Sequence, residues 1–170
     1  KSLGRRCSEL RKQMVHNPMD RQIKRLVIHC SDSKFGNADL IRRWHRLGGW
    51  KDIGYNLVIL NGLPESGRLA PEQDGQIEIG RGLNFDSVIS PDEVGAHSLG
   101  YNYNSIGVCL IGKRYFSERQ MDSLLTTVKL WRAIVPDIIV CGHRDLDLRK
   151  TCPNFDVSEW LKSHGIASGL

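Results

Sequence analysis

The sequence predicts a single-domain α/β protein, a central mixed β-sheet flanked by helices. Short apolar, β-branched runs recur at 26–30, 57–60, 106–111 and 138–140, with the length and composition of buried strands. Between them, stretches around Leu40 and Leu124 carry apolar residues at helical spacing. At 170 residues the chain is long enough for one substantial core. Strands interleaved with helices read as a layered α/β structure, and their uneven spacing leaves an α+β arrangement open.

The elements follow in order. Residues 1–24 are mostly Lys, Arg and polar side chains, and Leu3, Leu10, Met14 and Met19 are too sparse for an apolar face. This stretch reads as a basic N-terminal extension, partly helical over 8–15, ahead of a domain covering 25–170. The first strand runs into the turn cluster Ser31-Asp32-Ser33. Two-residue alternation puts Val27 and His29 on one face and Ile28 and Cys30 on the other. Asn37 is the N-cap of a helix to Leu47, with Leu40, Ile41, Trp44 and Leu47 as its stripe and Gly48-Gly49 as its stop. His45 lies off the stripe and reads as a partly exposed structural histidine.

The strand at 57–60 pairs with 76–80 across an enlarged hairpin loop, 63–75, closing on Asp74-Gly75. Residues 81–93 read as irregular. His97 precedes a polar, aromatic segment and the strand at 106–111, a position that suits the wall of a cleft. Ser117-Glu118-Arg119-Gln120 is a capping box. The helix behind it turns Met121, Leu124, Leu125, Val128, Trp131 and Val135 to one face and stops at Pro136. Asp156 caps a last short helix through Val157, Trp160 and Leu161, and the tail from His164 reads as frayed. No internal repeat or second domain is visible.

Composition narrows the function. A net charge of +5 suits an anionic partner: nucleic acid, a membrane surface or an acidic polymer such as a bacterial wall. Helix-turn-helix, RNP-like and Cys₂His₂ patterns are all missing, which argues against nucleic acid. No apolar run approaches the ~18 residues of a membrane span, and the N-terminal stretch lacks the apolar segment of a signal peptide. Five cysteines, Cys7, Cys30, Cys109, Cys141 and Cys152, are an odd number without regular spacing, so a disulfide framework is not expected. Cys30, Cys109 and Cys141 sit in or beside strand-like runs as small buried hydrophobes. Cys152 stands among polar and basic turn residues.

Two segments carry the chemistry: Cys141-Gly142-His143-Arg144-Asp145, at the end of the strand 138–140, and Lys150-Thr151-Cys152-Pro153. Imidazole and thiolate are preferred zinc ligands. His29, His143 and Cys152 each end a strand or lie in the loop after one. Three protein ligands with an open position are the pattern of a catalytic rather than a structural zinc. Cys141 shares strand parity with His143 and rivals Cys152 as a ligand. Two ordinary histidines and a free cysteine remain the plainer alternative at this point.

A family resemblance sharpens the choice. In order, the chain carries His29-Cys30-Ser31, Trp44-His45, Gly54-Tyr55-Asn56, Gly80-Arg81 and Gly95-Ala96-His97. It continues with Gly100-Tyr101-Asn102-Tyr103-Asn104-Ser105-Ile106-Gly107-Val108-Cys109-Leu110-Ile111-Gly112, Gly142-His143-Arg144-Asp145 and Lys150-Thr151-Cys152-Pro153. This series resembles zinc-dependent N-acetylmuramoyl-L-alanine amidases, most of all the amidase-type phage lysozymes, and is similar to peptidoglycan recognition proteins. It spans about residues 26–161.

The resemblance implies the fold of those proteins and one zinc ion per chain on His29, His143 and Cys152. It implies Tyr55 and Lys150 as catalytic helpers, and His97 and Asn102 in the substrate groove. The implied reaction cuts the amide between N-acetylmuramic acid and L-alanine in peptidoglycan, at the bacterial cell wall, by a monomer. Zinc lowers the pKa of a bound water from 15.7 to about 7, which makes hydroxide available at neutral pH. Against the short phage enzymes the chain adds the basic extension, the enlarged hairpin and a longer segment between Arg81 and Gly95. The last two are expected to shape the groove rim. Three other readings stay open: a muropeptide-binding module without hydrolysis, a regulator that binds RNA polymerase, and a thiol hydrolase using Cys152 as nucleophile.

Overall fold

The computed structural model describes residues 20–169. A two-residue strand, β1 (Arg21–Gln22), leads into β2 (Arg25–Cys30), helix α1 (Ala38–Leu47) and β3 (Leu57–Ile59). Then come β4 (Ile77–Ile79), β5 (Val88–Ile89), β6 (Ser105–Leu110), α2 (Glu118–Ile134), β7 (Ile139–Gly142), α3 (His143–Leu146) and α4 (Val157–Ser163). The central sheet has the order β4-β3-β6-β2-β7. All its neighbours are parallel except β3 and β4, which form the expected antiparallel hairpin. The sheet is therefore mixed. Its parallel members are buried on both faces, which is why they read as unbroken apolar runs.

Strand parity assigns the faces as expected. Leu26 and Ile28, with Val108 and Leu110, face α2 through Leu124, Val128 and Trp131. Val58 and Cys109 face α1 through Ala38 and Ile41, with Ile53 and Ile111 completing that smaller core. The capping box of α2 is formed: Ser117 Oγ accepts from the Gln120 N–H at 3.0 Å, and Gln120 Oε1 accepts from the Ser117 N–H at 3.1 Å. The Gln120 amide also donates to the carbonyls of Ile59 and Ile111, tying the helix start to the sheet. At α1, Asn37 Oδ1 accepts from Leu40 N–H and Glu78 Oε2 from Ala38 N–H, both groups favoured at a helix N-terminus.

Four features differ from the sequence expectation. The α1 stripe is only half used: Ile41 is buried, but Trp44 and Leu47 are 37% and 86% exposed. The core beneath α1 meets only its early turns, and Trp44 packs against Phe35 instead. Residues 81–93 are not wholly irregular, because Val88–Ile89 forms β5 and pairs with β1. The described part of the basic extension is built into the domain through that pairing, and Ile23 is only 3% exposed. The partner strands lie far apart in sequence and are two residues long, too short for a periodic signal. The tail is not frayed: the Val140 N–H donates to the Ser168 carbonyl at 2.9 Å, so the chain returns along β7. Helix proposed over 8–15 falls outside the described residues. Among the described residues, no helix is long and apolar enough to cross a membrane.

Candidate metal centre and active-site cleft

His29 is the penultimate residue of β2, 1% exposed, on the sheet face away from α2. Parallel pairing sets β6 and β7 on either side of β2, with Ile28 opposite Gly142. The residue after Gly142 is His143, the first of α3. The two imidazoles therefore meet at the same edge of the sheet, with ring centroids 4.7 Å apart.

Cys152 reaches them through a tightly tied loop. Its carbonyl accepts from the Arg144 N–H at 2.8 Å, and its Sγ accepts from the Cys30 N–H at 3.2 Å. A side chain at Gly142 would put Cβ 2.8 Å from Pro153 Cδ, so the glycine is what lets this loop approach β7. The result is that Cys152 Sγ lies 3.7 Å from His29 Nδ1. The ligand atoms of His29, His143 and Cys152 all fall within 4.8 Å of one another, an arrangement able to hold a metal ion.

Cys141 does not join them. β7 ends at Gly142 and the chain turns into α3, so strand parity no longer relates Cys141 to His143. Cys141 stays fully buried, and burial pushes its thiol up to about 12. Cys30 and Cys109 are also buried, as expected. His45 is half-buried; its Nδ1 accepts from the Gly54 N–H at 3.0 Å and its ring packs on Trp50.

The electrostatics favour neutral ligands. Burial, then the neighbouring His97 and His143, holds His29 well below the usual histidine range. Burial and the Lys150 charge lower His143. Neutral imidazole is the metal-binding form. The adjacent Cys30 thiol and burial push the Cys152 thiol up, a tendency that a coordinated cation reverses by deprotonating it.

An open cleft of about 540 Å³ runs past this group, with Trp50, Ala96, His97, Asn102, His143 and Lys150 among its walls. That volume lies in the range of ligand sites. Arg149 and Lys150 also line a second hollow beside Cys30, Lys113, Arg114 and Cys152, so a basic ridge separates the two. The Tyr55 ring lies 5.2 Å from His29, and burial pushes its phenol well above the usual range, which keeps it a hydrogen-bond donor. Lys150 is exposed at the lip. The Asn102 carboxamide oxygen is already engaged by the N–H groups of His97 and Ser98, at 2.8 and 2.9 Å. His97 is 7% exposed, and its Nδ1 is 3.0 Å from His29 Nε2.

Sequence reasoning missed the His29–His97 contact and the groove residues Trp50, Asp147 and Arg149. The charged run before Cys152 was a usable signal for the last two. Trp50 follows a glycine pair and carries no motif of its own.

This is an α/β protein with a three-ligand metal-capable centre beside an open cleft, which it meets through His143. The chain belongs to the N-acetylmuramoyl-L-alanine amidase family, whose sequence profile matches residues 19–155. It is 32% identical to an endolysin of Enterobacteria phage K11 over 154 residues, covering 84% of this chain and 87% of the relative. The N-acetylmuramoyl-L-alanine amidase LysC of Clostridium intestinale superposes with a TM-score of 0.66 at 22% identity, over 85% of this chain and 87% of that one. Drosophila PGRP-LB superposes with a TM-score of 0.65 at 22% identity, over 89% and 88%.

Proposed function

We propose that this chain is a zinc-dependent hydrolase of the amide between N-acetylmuramic acid and L-alanine in peptidoglycan. The observation that carries the reading is the convergence of His29, His143 and Cys152 beside a cleft lined by His143 and Lys150, with the Tyr55 ring 5.2 Å from His29. The donor set suits the metal: two neutral imidazole nitrogens and a sulfur are zinc ligands, and three of them leave a position free. Bound zinc supplies a nucleophilic water at neutral pH and a Lewis acid for the carbonyl oxygen.

The chain's own residues do the rest. The cleft holds the stem peptide against Trp50, Ala96 and His97, with the 97–102 loop fixed by Asn102. The Lys150 ammonium, at the lip, pairs with the charge that develops on the carbonyl oxygen, where a preorganised donor acts mainly on the transition state. The Tyr55 hydroxyl, kept protonated, donates to the same oxygen. The presence of Cys152 and Lys150 together favours hydrolysis over binding alone.

The test is a digest of purified peptidoglycan. New N-terminal alanine without new reducing sugar ends is the expected product. New reducing ends, or no release at all from a correctly folded, zinc-loaded sample, would count against this assignment.

A further inference from the structure

His97 stands in the cleft wall, yet its ring nitrogens are turned away from any substrate. Nδ1 faces His29 Nε2 at 3.0 Å, and Nε2 faces the Ser105 hydroxyl at 3.4 Å. Ser105 Oγ in turn donates to the Tyr101 carbonyl at 2.7 Å. A serine hydroxyl has one proton, and a carbonyl can only accept. Ser105 therefore spends its proton on Tyr101 and can only accept from His97. That puts the His97 proton on Nε2 and leaves Nδ1 as an acceptor. The facing His29 Nε2 must then be the donor, and the His29 lone pair is on Nδ1, the atom that looks toward Cys152 Sγ at 3.7 Å.

The surroundings hold His97 to this task. Gly107 lies on β6 two residues before Cys109, the partner of His29 in the register. A Cβ at Gly107 would sit 2.6 Å from His97 Cγ and Cδ2, so the ring occupies the space that a side chain on that strand would fill. Asn102 clamps the His97 backbone from the other side. Both ring positions and both proton positions are thus specified by packing and by a chain of donors running one way.

We propose that His97 is a positioning residue of the metal centre: the Tyr101–Ser105–His97 chain fixes the tautomer and orientation of His29 so that its Nδ1 lone pair is presented to the metal. This rests on the zinc reading above. Outer hydrogen-bond partners of metal-bound histidines typically change metal affinity by about 10- to 100-fold when removed.

The experiment is zinc affinity, measured by competition with a chromophoric chelator, in the full chain and in three variants. His97→Leu fills similar volume without an acceptor; His97→Asn keeps an acceptor oxygen at the position of Nδ1; Ser105→Ala removes the far end of the chain. The expected result is a loss of about 10- to 100-fold for His97→Leu, a loss within about threefold for His97→Asn, and an intermediate loss for Ser105→Ala. Near-ultraviolet circular dichroism checks the fold of each, and if His97→Leu does not fold, the ordering of Ser105→Ala below wild type and His97→Asn decides. Equal zinc affinity in wild type, His97→Leu and Ser105→Ala, with only KM raised in His97→Leu, would overturn the proposal and leave His97 as a groove contact. A wild-type chain that binds no zinc would instead bring down the zinc reading itself.

Discussion

His29 Nδ1 and Cys152 Sγ lie 3.7 Å apart although 123 residues separate them in sequence. The two belong to the first strand of the central sheet and to the last loop before α4. What joins them is the parallel β2–β7 pairing, the turn into α3 at His143, and the backbone bond that ties Arg144 to Cys152. The metal centre is a product of topology rather than of any local motif.

Lys150, at the cleft lip, is placed to act on the transition state. Lys150→Met is expected to lower kcat by about 10²- to 10³-fold, the usual effect of losing one oxyanion donor. Zinc content and KM should change little. Steady-state kinetics on a soluble muropeptide, with metal analysis of the same sample, checks it. A raised KM with intact kcat would assign Lys150 to binding instead.

Stability should depend on pH through the buried histidines. In the metal-free protein, burial brings His97 down to about 4, and His29 is lowered as well. The unfolded chain binds these protons near the ordinary value of about 6.5. Protons therefore favour unfolding, and stability present above pH ~6.5 is lost as pH falls toward 4. For His97 alone the loss is about 3 kcal/mol. Thermal melts of chelated protein between pH 7.5 and 4.5 measure it, and His97→Leu should flatten the slope.

Gly107→Ala tests the packing behind the centre. The added methyl meets the His97 ring at 2.6 Å, so the ring or the strand must move. Overpacking of this kind typically costs about 1–3 kcal/mol. The expected outcome is a lower melting temperature together with weaker zinc binding. Unchanged zinc binding would show that the ring relocates without disturbing His29.

The basic ridge at Arg149 and Lys150, with Lys113 and Arg114 beyond it, predicts salt-sensitive action on anionic wall. Lysis of cell-wall suspensions should slow as ionic strength rises, because exposed charges are screened beyond a Debye length of about 10 Å at 0.1 M. Rates independent of salt would remove the role of that ridge.

The sequence carried the framework and the ligands unevenly. Alternation in Leu26-Val27-Ile28-His29-Cys30 was enough to separate His29 from Ile28, because a strand has a strict two-residue period; which face meets α2 came only with the fold. The same rule misled at Cys141, since His143 had already left the strand for α3. The β1–β5 pair was invisible because its strength lies in partners remote in sequence, and so was the return of Ser168 along β7. Trp44 and Leu47 gave a helical stripe that the small core beneath α1 does not reach. His97 could be placed in a cleft wall from its polar neighbours, but its contact with His29 depends on the vacant volume over Gly107, which no local pattern encodes.

The most direct measurement is the zinc content of purified protein by elemental analysis, in wild type and in Cys152→Ser. Wild type is expected to hold close to one equivalent per chain, and a Cys152→Ser protein that still folds to lose both the zinc and the amidase activity. A wild-type enzyme that cleaves peptidoglycan without zinc, or a Cys152→Ser variant that keeps its full equivalent, would contradict it.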